Sequence, residues 1–440
     1  MNTPIHDFVK KYAGSDIARF HMPGHKGKAL LGVEALDITE IRGADVLYSP
    51  DGIILESENN ASLLFDTGHT FYSAEGSTLA IKAMLALARS AWRGERPTVV
   101  AAPNVHKAFI YAAALLDLDV EWIATEGSSH LCAAPITARG AEDAILGCRE
   151  KPCALYLTSP DYLGNIADIE GISKVCHSHG VPLLVDNAHG AYLAFLSPSL
   201  HPIALGADMC CDSAHKTLPV LTGGAYLHIS KKAAPLFSEQ ARDALSLFAS
   251  TSPSYLILQS LDLCNKYIAG EYPKKLWALC GKLELIRQEA EKMGYGVIRG
   301  EPLKIALEQG YPLGEHLRRH SIEPELCDRD VTVLMATPEN TDEELCRLRS
   351  ALSSFTPVRK EEKKLPPRVV RGEKAMSVRE AMLAPKEYIA AKDSTGRICA
   401  TPTVTCPPAI PIAVSGERIT PQMAELLSYY GTDIVSVVKE

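Results

Sequence analysis

The 440-residue sequence lacks the features that direct a chain to a membrane or to nucleic acid. Its N-terminus, MNTPIHDFVKKY, has no charged start followed by an apolar run, so we expect no secretory signal. The longest apolar stretches are shorter than a membrane span requires. The net charge of −8, without a long basic tract, argues against a general nucleic-acid binder. We therefore expect a cytoplasmic protein.

The sequence also lacks several signatures of metal and nucleotide sites. Its twelve cysteines are scattered without CxxC spacing, and no HExxH is present. In a chain of this length they are typical of reduced, mostly buried thiols, and we expect no metal site. Neither G-x-x-x-x-G-K-[ST] nor G-x-G-x-x-G occurs, which excludes a nucleotide P-loop and a dinucleotide fingerprint.

Strand-like and helix-like segments alternate through the middle of the chain. The short runs PTVVAAP, DVEWIA, CALYLTSP and VPLLVDNAHG are separated by helical patterns such as HKAFIYAAALLDL and IEGISKVCHSHG. This order predicts an α/β fold with a mostly parallel sheet covered on both faces. Catalytic residues in such sheets gather beyond the carboxyl ends of the strands, where Ser159, Asp186 and Ser213 stand.

The pattern changes after about Pro253, and it predicts four regions. Two long helical patterns, PSYLILQSLDLCNKYIAG and PKKLWALCGKLELIRQEAEKMG, precede shorter alternating strands and helices. RKEEKKLPPR is typical of a charged linker. We divide the chain into an N-terminal arm (1–40), a large domain (41–285), a small α+β domain (286–357) and a C-terminal domain (358–440).

Three stretches that carry chemistry follow in a fixed order. Gly76, Ser77 and Thr78 start an alanine- and leucine-rich helix, as a simple cap or as an anion site of N–H groups and hydroxyls. Asp186 ends an apolar strand, as a turn residue or as a buried carboxylate with a cationic partner. Lys216 follows in DSAHKTLPVLTGG, as a solvated charge or as a reactive amine.

These three groups match the needs of pyridoxal 5'-phosphate. Its phosphate requires a helix N-terminus and hydroxyls, its pyridinium nitrogen a carboxylate, and its aldehyde a lysine amine. The order of the three stretches therefore favours this cofactor.

The sequence resembles the bacterial-type Orn/Lys/Arg decarboxylases over nearly its whole length. RFHMPGHKGK, DSAHKTLPVLTGG, STSPSYLILQSLDL and TPTVTCPPAIPIAVSGERIT match family motifs in the family's order, and the length is that of the short forms. The resemblance implies a transferase-like fold of type I, with a three-layer α/β/α large domain, a small α+β domain and a C-terminal domain. It further implies decarboxylation of a basic amino acid, arginine before lysine or ornithine, in a homodimer or higher homo-oligomer with shared active sites.

The resemblance also implies a role for each residue of the predicted site. Lys216 binds the cofactor covalently, Asp186 pairs with the ring nitrogen, and His189 lies near the ring oxygen or supports Asp186. His106, from the residues alone a histidine at a helix start, stacks on the ring face. Ser252 reaches the phosphate of a neighbouring subunit. The remaining residues hold the phosphate within the same chain: Gly76, Ser77, Thr78, Ser213 and His215.

Several positions depart from the family's pattern and bear on what enters the site. Asn187 stands where the family has an acid, Tyr192 where it has a histidine, and Thr401 where it has an acid. Glu75, directly before the phosphate segment, and Asp161 are acids that the family pattern lacks. CPPAIP also stands where the family has YPPGIP. Two alternatives therefore stay open. One is another reaction of the same cofactor, by an aminotransferase or a Cβ lyase, and the other is a non-catalytic relative.

Overall fold

The computed structural model describes residues 1–125, 130–358, 371–402 and 409–440. Its helices are α1 (Pro4–Ala13), α2 (Ile53–Leu64), α3 (Gly76–Ala91), α4 (Lys107–Leu116), α5 (Ala138–Gly147), α6 (Ile169–Ser178), α7 (Ala214–Thr217), α8 (Ala234–Phe237), α9 (Ala241–Ser246), α10 (Tyr255–Ile268), α11 (Tyr272–Lys292), α12 (Tyr311–Arg319), α13 (Asp342–Ser354), α14 (Val378–Leu383) and α15 (Pro421–Tyr429). Its strands are β1 (His69–Ser73), β2 (Thr98–Ala101), β3 (Asp119–Trp122), β4 (Ala154–Thr158), β5 (Leu183–Asp186), β6 (Met209–Asp212), β7 (Ala225–Ile229), β8 (Val297–Ile298), β9 (Lys304–Leu307), β10 (Leu326–Cys327), β11 (Thr332–Met335), β12 (Lys386–Ala390) and β13 (Ile434–Val438).

The chain divides into two compact units. The first unit comprises Met1–Trp92 and Pro182–Lys275, and the second comprises Arg93–Val181 and Leu276–Glu440. Among the helices of the described ranges, none combines the length and the apolarity needed to cross a membrane. The predicted linker RKEEKKLPPR and the first residues of CPPAIP lie outside the described part of the chain.

In the first unit four strands lie side by side in the order β1-β7-β6-β5. β5 and β6 are parallel, whereas β7 is antiparallel to both β6 and β1. Every residue of β5, β6 and β7 is buried, as expected of strands covered on both faces. Because β5 and β6 are parallel, their carboxyl ends, Asp186 and Asp212, lie at the same edge.

Helix α3 packs against this part of the sheet for reasons visible in its sequence. GSTLAIKAMLALARSA is rich in alanine and leucine, which are strong helix formers. Its buried residues run from Leu79 to Ala88, and α3 contacts β7, β6 and β1. The start of α3 is thereby fixed close to the strands that carry the predicted site.

In the second unit β2 pairs in parallel with both β3 and β4. A separate antiparallel sheet has the order β10-β11-β9-β8, and β12 pairs with β13. Val333 of the antiparallel sheet, Leu427 of α15 and Val435 of β13 belong to one buried apolar cluster. The pairings of β2 to β6 described in the two units are all parallel, which confirms the predicted α/β class.

Candidate active site

The predicted site lies at the carboxyl ends of β5 and β6. Asp186 is the last residue of β5, and its register partner on β6 is Cys211. The loop after β5 carries His189, and the segment after β6 carries Ser213 and Lys216. The parallel pairing therefore places two of the predicted loops next to each other, as expected for this class of sheet.

Asp186 is a buried carboxylate held by two groups of its own unit. Its side chain is 2% exposed. Its Oδ1 atom accepts a hydrogen bond from the backbone N–H of Ala188 at 3.2 Å and lies 3.6 Å from the Cys211 thiol, which donates to it. A carboxylate removed from water needs such donors or a cation. Both contacts fix the direction in which the carboxylate points.

Lys216 lies beside the second histidine of the predicted site. Its Nζ atom is 2.9 Å from Nε2 of His189, a hydrogen-bond distance. His189 is buried, and Lys216 lies in the short helix α7. Lys216 is itself only partly buried, and its amine is hydrogen-bonded to a buried imidazole. Its role as the reactive amine stays a prediction.

Two serine hydroxyls meet at the start of α3. Ser213 Oγ donates to Ser77 Oγ at 2.8 Å, although the two residues are 136 positions apart in sequence. Gly76 has a φ of +71°, and a Cβ at this position would meet nothing within 4 Å. Open space thus adjoins Gly76 at the start of α3, next in the chain to Ser77, and a helix N-terminus with hydroxyls is a favourable place for an anion.

Thr78, His215 and Ser252 complete the first-unit residues predicted to bind the phosphate, and their hydrogen bonds described below do not join them to Ser77 or Ser213. Thr78 is exposed in the first turn of α3. His215 Nδ1 is 2.9 Å from the carbonyl oxygen of Gly224. Burial lowers the pKa of His215, and the Lys216 charge adds to this, so the ring favours its neutral form. Ser252 is exposed, and its N–H donates to Ser250 Oγ.

His106 belongs to the second unit. It precedes α4, and its Nδ1 accepts the N–H of Ala108 at 3.1 Å, so it caps the helix. This contact agrees with the interpretation from the residues alone, a histidine at a helix start. Its stacking on a cofactor ring stays a prediction.

Two of the substituted acids have clear surroundings. Asp161 is buried, and its carboxylate accepts hydrogen bonds from Leu163 N and from both the N and Nδ2 of Asn165, so it closes a turn. Glu75 is exposed at the start of α3, and its Oε1 accepts the N–H of Ser250 at 2.6 Å. Asp161 is therefore engaged in its own turn, whereas Glu75 stands at the rim of the site.

The sequence interpretation missed a polar network on the opposite face of the strands. Asn187 Nδ2 donates to Asp212 Oδ1 at 2.6 Å, and Asp212 Oδ2 accepts from His201 and His228. Cys211, which touches Asp186, was also missed. The available signal was the alternation of side chains along β6, which sends Cys210 and Asp212 to one face and Cys211 to the other.

The residues present fit pyridoxal phosphate. A buried carboxylate, a lysine amine paired with an imidazole, and two hydroxyls at a glycine-led helix start all belong to the first unit. This donor set supplies one group for each of the three polar regions of that cofactor. The open space beside Gly76 is consistent with an anion at the start of α3.

Comparisons with known proteins agree with this chemistry. The model of the family "Orn/Lys/Arg decarboxylase, major domain" matches residues 3–297, and that of its C-terminal domain matches residues 361–432. An arginine decarboxylase of Bacillus subtilis is 30% identical, over 95% of this chain and 91% of its own length. The uncharacterized protein YaaO of the same organism is 29% identical, over 97% of this chain and 94% of its own length.

A solved structure shows the same fold. The constitutive lysine decarboxylase of E. coli superposes with a TM-score of 0.81 at 16% identity, over 100% of this chain and 82% of the other. The expected fold of type I, with its additional small and C-terminal domains, is thereby confirmed. The chain belongs to the Orn/Lys/Arg decarboxylase family and is a pyridoxal-phosphate-dependent amino-acid decarboxylase.

Proposed function

We propose that this enzyme decarboxylates a basic amino acid, arginine in preference to lysine or ornithine, and releases the corresponding amine and carbon dioxide. The observation that carries the proposal is the pairing of Lys216 Nζ with His189 Nε2 at 2.9 Å. His189 lies in the loop that follows the buried Asp186. Arginine is favoured because a relative named arginine decarboxylase aligns over 95% of this chain.

Each polar residue of the first unit has a distinct task in this proposal. Ser77, Ser213 and the N–H groups of α3 bind the phosphate. Asp186, oriented by the Cys211 thiol and the Ala188 N–H, keeps a proton on the ring nitrogen. When bound, pyridoxal phosphate supplies an electron sink for the charge left on Cα as carbon dioxide departs.

Lys216 and His189 form the proton-handling pair. At 2.9 Å, Nζ and Nε2 can share a proton directly, and the acceptor role falls to whichever nitrogen is neutral. Lys216 anchors the cofactor before the reaction and returns a proton to Cα after it. His189 holds the amine in position for both tasks.

A group of polar side chains near the start of α3 suits a cationic substrate. The Tyr48 hydroxyl is buried and has no hydrogen-bond partner among the described residues. Burial raises the pKa of Tyr48, and the negative charges of Glu75 and Glu40 raise it further. We assign Glu75 as a carboxylate that binds the distal cation of the substrate, because charge-assisted hydrogen bonds recognise guanidinium groups strongly.

We further propose that the enzyme acts in the cytoplasm as a homodimer or higher homo-oligomer. Phe20, Leu30 and Leu31, in or next to the RFHMPGHKGK segment, are 95%, 90% and 88% exposed in the single chain. Apolar side chains exposed to this degree in one short segment indicate a surface that another subunit covers. Sedimentation of the purified protein tests this, and a monomer at micromolar concentration would contradict it.

A substrate panel tests the proposed function. The cofactor-supplemented protein is incubated separately with arginine, lysine and ornithine, and the rates of carbon dioxide and amine release are measured. We expect the highest kcat/KM with arginine. Formation of a keto acid without carbon dioxide would replace decarboxylation by transamination, and a higher kcat/KM with lysine or ornithine would overturn the assigned substrate.

A further inference from the structure

Four potential metal ligands converge on the face of the sheet opposite to Asp186. They come from the chain before β6, from β6 itself and from β7: His201, Cys210, Asp212 and His228. All four are buried, with exposures of 1%, 0%, 0% and 0%. None has a task in the decarboxylation described above.

The register of the strands explains why these side chains meet. Cys210 and Asp212 are two residues apart on β6 and therefore point to the same face. Cys210 pairs with His228 of β7, which places the imidazole on that face too. Asp186 pairs with Cys211, which points to the other face, so the sheet separates the four residues from the cofactor residues.

Three of the four donor atoms lie close enough to one another to bind one small cation. His201 Nε2 and His228 Nε2 lie 3.0 and 3.1 Å from the same oxygen, Asp212 Oδ2. Cys210 Sγ lies 3.8 Å from His201 Nε2, and the donor atoms of His201, Cys210 and Asp212 are all within 4.8 Å of one another. Tetrahedral zinc, with bonds of about 2.0–2.3 Å, separates its ligand atoms by roughly 3.3–3.7 Å.

A second layer of hydrogen bonds supports the same arrangement. Asp212 Oδ1, the oxygen turned away from the histidines, accepts from Asn187 Nδ2 at 2.6 Å. His228 Nδ1 lies 2.9 Å from Thr70 Oγ1, which in turn lies 2.8 Å from Thr67 Oγ1. Ligating carboxylates and imidazoles usually have outer partners of this kind, because these partners fix ring orientation and tautomer.

Charge gives a further argument. A divalent cation bound by one thiolate, one carboxylate and one neutral imidazole forms a neutral group, which is the least costly state for a site without access to water. Because the thiolate is the form that binds a metal, the Cys210 thiol would release its proton when the cation binds. The thiolate and imidazole ligands select zinc-like cations over magnesium or calcium.

From this convergence we propose that His201, Cys210 and Asp212 bind one zinc-like divalent cation as a structural site, with His228 hydrogen-bonded to Asp212 beside it. The three ligands are buried on the face of the sheet opposite to the cofactor residues, so the ion would stabilise the fold and would not contact the substrate. It would join the segment before β6 to β6, and Ser213 and Lys216 follow directly in the chain. The proposal departs from the sequence prediction of no metal site because these ligands are 2 to 11 residues apart in sequence and follow no known spacing motif.

Metal analysis of the purified protein tests this proposal independently of its substrate. After dialysis against a weak chelator, elemental analysis should find about one zinc per chain in the wild type. Cys210→Ala and His201→Ala should lose this zinc. The matched control Cys176→Ala, which removes another buried cysteine, should retain it.

Cobalt binding provides a second readout that needs no variant to fold. Metal-stripped wild-type protein titrated with Co²⁺ should gain a thiolate-to-cobalt charge-transfer band and visible bands typical of tetrahedral cobalt. Zinc retained unchanged in Cys210→Ala would identify an adventitious surface site and overturn the proposal. A wild type without stoichiometric zinc and without the cobalt bands would also overturn it. These residues would then form only a network of hydrogen bonds to Asp212.

Discussion

Lys216 Nζ lies 2.9 Å from His189 Nε2, although the two residues are 27 positions apart in sequence. The contact joins the segment after β6 to the loop after β5, and it depends on the parallel pairing of these strands. It places the amine of the partly buried Lys216 against a buried imidazole.

Replacing Lys216 tests its role as the covalent anchor. We expect Lys216→Ala to lose the visible absorbance band of the lysine-bound cofactor and to lower kcat by at least about 10³-fold, because the substitution removes the amine that anchors the cofactor. Lys231→Ala, which removes an exposed lysine of the same unit, is the control and should leave both unchanged. A variant that keeps the band would show that another lysine binds the cofactor.

Replacing His189 tests whether this residue positions the Lys216 amine, because the amine itself stays in place. We expect His189→Gln to retain the absorbance band but to lower kcat by about 10²-fold, since the amine loses its proton partner. Spectroscopic titration with the cofactor and steady-state kinetics measure the two effects. An unchanged kcat would remove His189 from the proton-handling pair.

Replacing Glu75 tests its assignment to the distal cation. Loss of one charge-assisted hydrogen bond costs about 1.5 kcal/mol or more, so Glu75→Gln should raise KM for arginine about tenfold. The exposed residue Glu239 provides the control variant Glu239→Gln, for which KM should not change. If Glu75→Gln instead weakens cofactor binding and leaves KM unchanged, the carboxylate supports the phosphate site at the start of α3 and does not bind the substrate.

Asp262 links the stability of the first unit to pH. Its carboxylate accepts hydrogen bonds from Ser57 Oγ at 2.6 Å and from the N–H of His6 at 3.0 Å. Burial nevertheless raises the pKa of Asp262 to about 6, above its usual value of about 3.9. Between these values the folded chain holds a proton that the unfolded chain releases, so stability falls as pH rises through this window.

The size of this effect can be measured with one substitution. Ionisation of Asp262 should lower the free energy of unfolding by up to about 2–3 kcal/mol between pH 4 and pH 7. Asp262→Asn should remove that part of the pH dependence. Urea unfolding at both pH values, with the exposed Asp66→Asn as control, gives the comparison. An Asp262→Asn variant with the same pH dependence as the wild type would contradict the assignment.

Much of the fold is predictable from local patterns. The apolar run that ends at Asp186 forms β5 as predicted, and the alanine-rich segment after Gly76 forms α3. Both depend on short-range physics, namely burial on two faces and helix propensity. The order of the strands and the antiparallel direction of β7 depend on contacts distant in sequence, which no local pattern contains.

The candidate site divides in the same way. The separate positions of Asp186 and Lys216 at strand ends could be inferred from the sequence, and so could the hydroxyls of Ser77 and Ser213. The contact of Cys211 with Asp186 could not, because it requires the register of β5 against β6. Likewise Asp161, an acid with no evident partner in the sequence, closes a turn with Asn165.

Product stoichiometry tests the central claim most directly. The cofactor-supplemented enzyme is incubated with arginine, and carbon dioxide and agmatine, the amine that arginine yields, are quantified together with any keto acid. We predict equal amounts of carbon dioxide and agmatine, no keto acid, and neither product from Lys216→Ala. Conversion of arginine to a keto acid, or no conversion by a preparation that shows the absorbance band of the bound cofactor, would contradict the account.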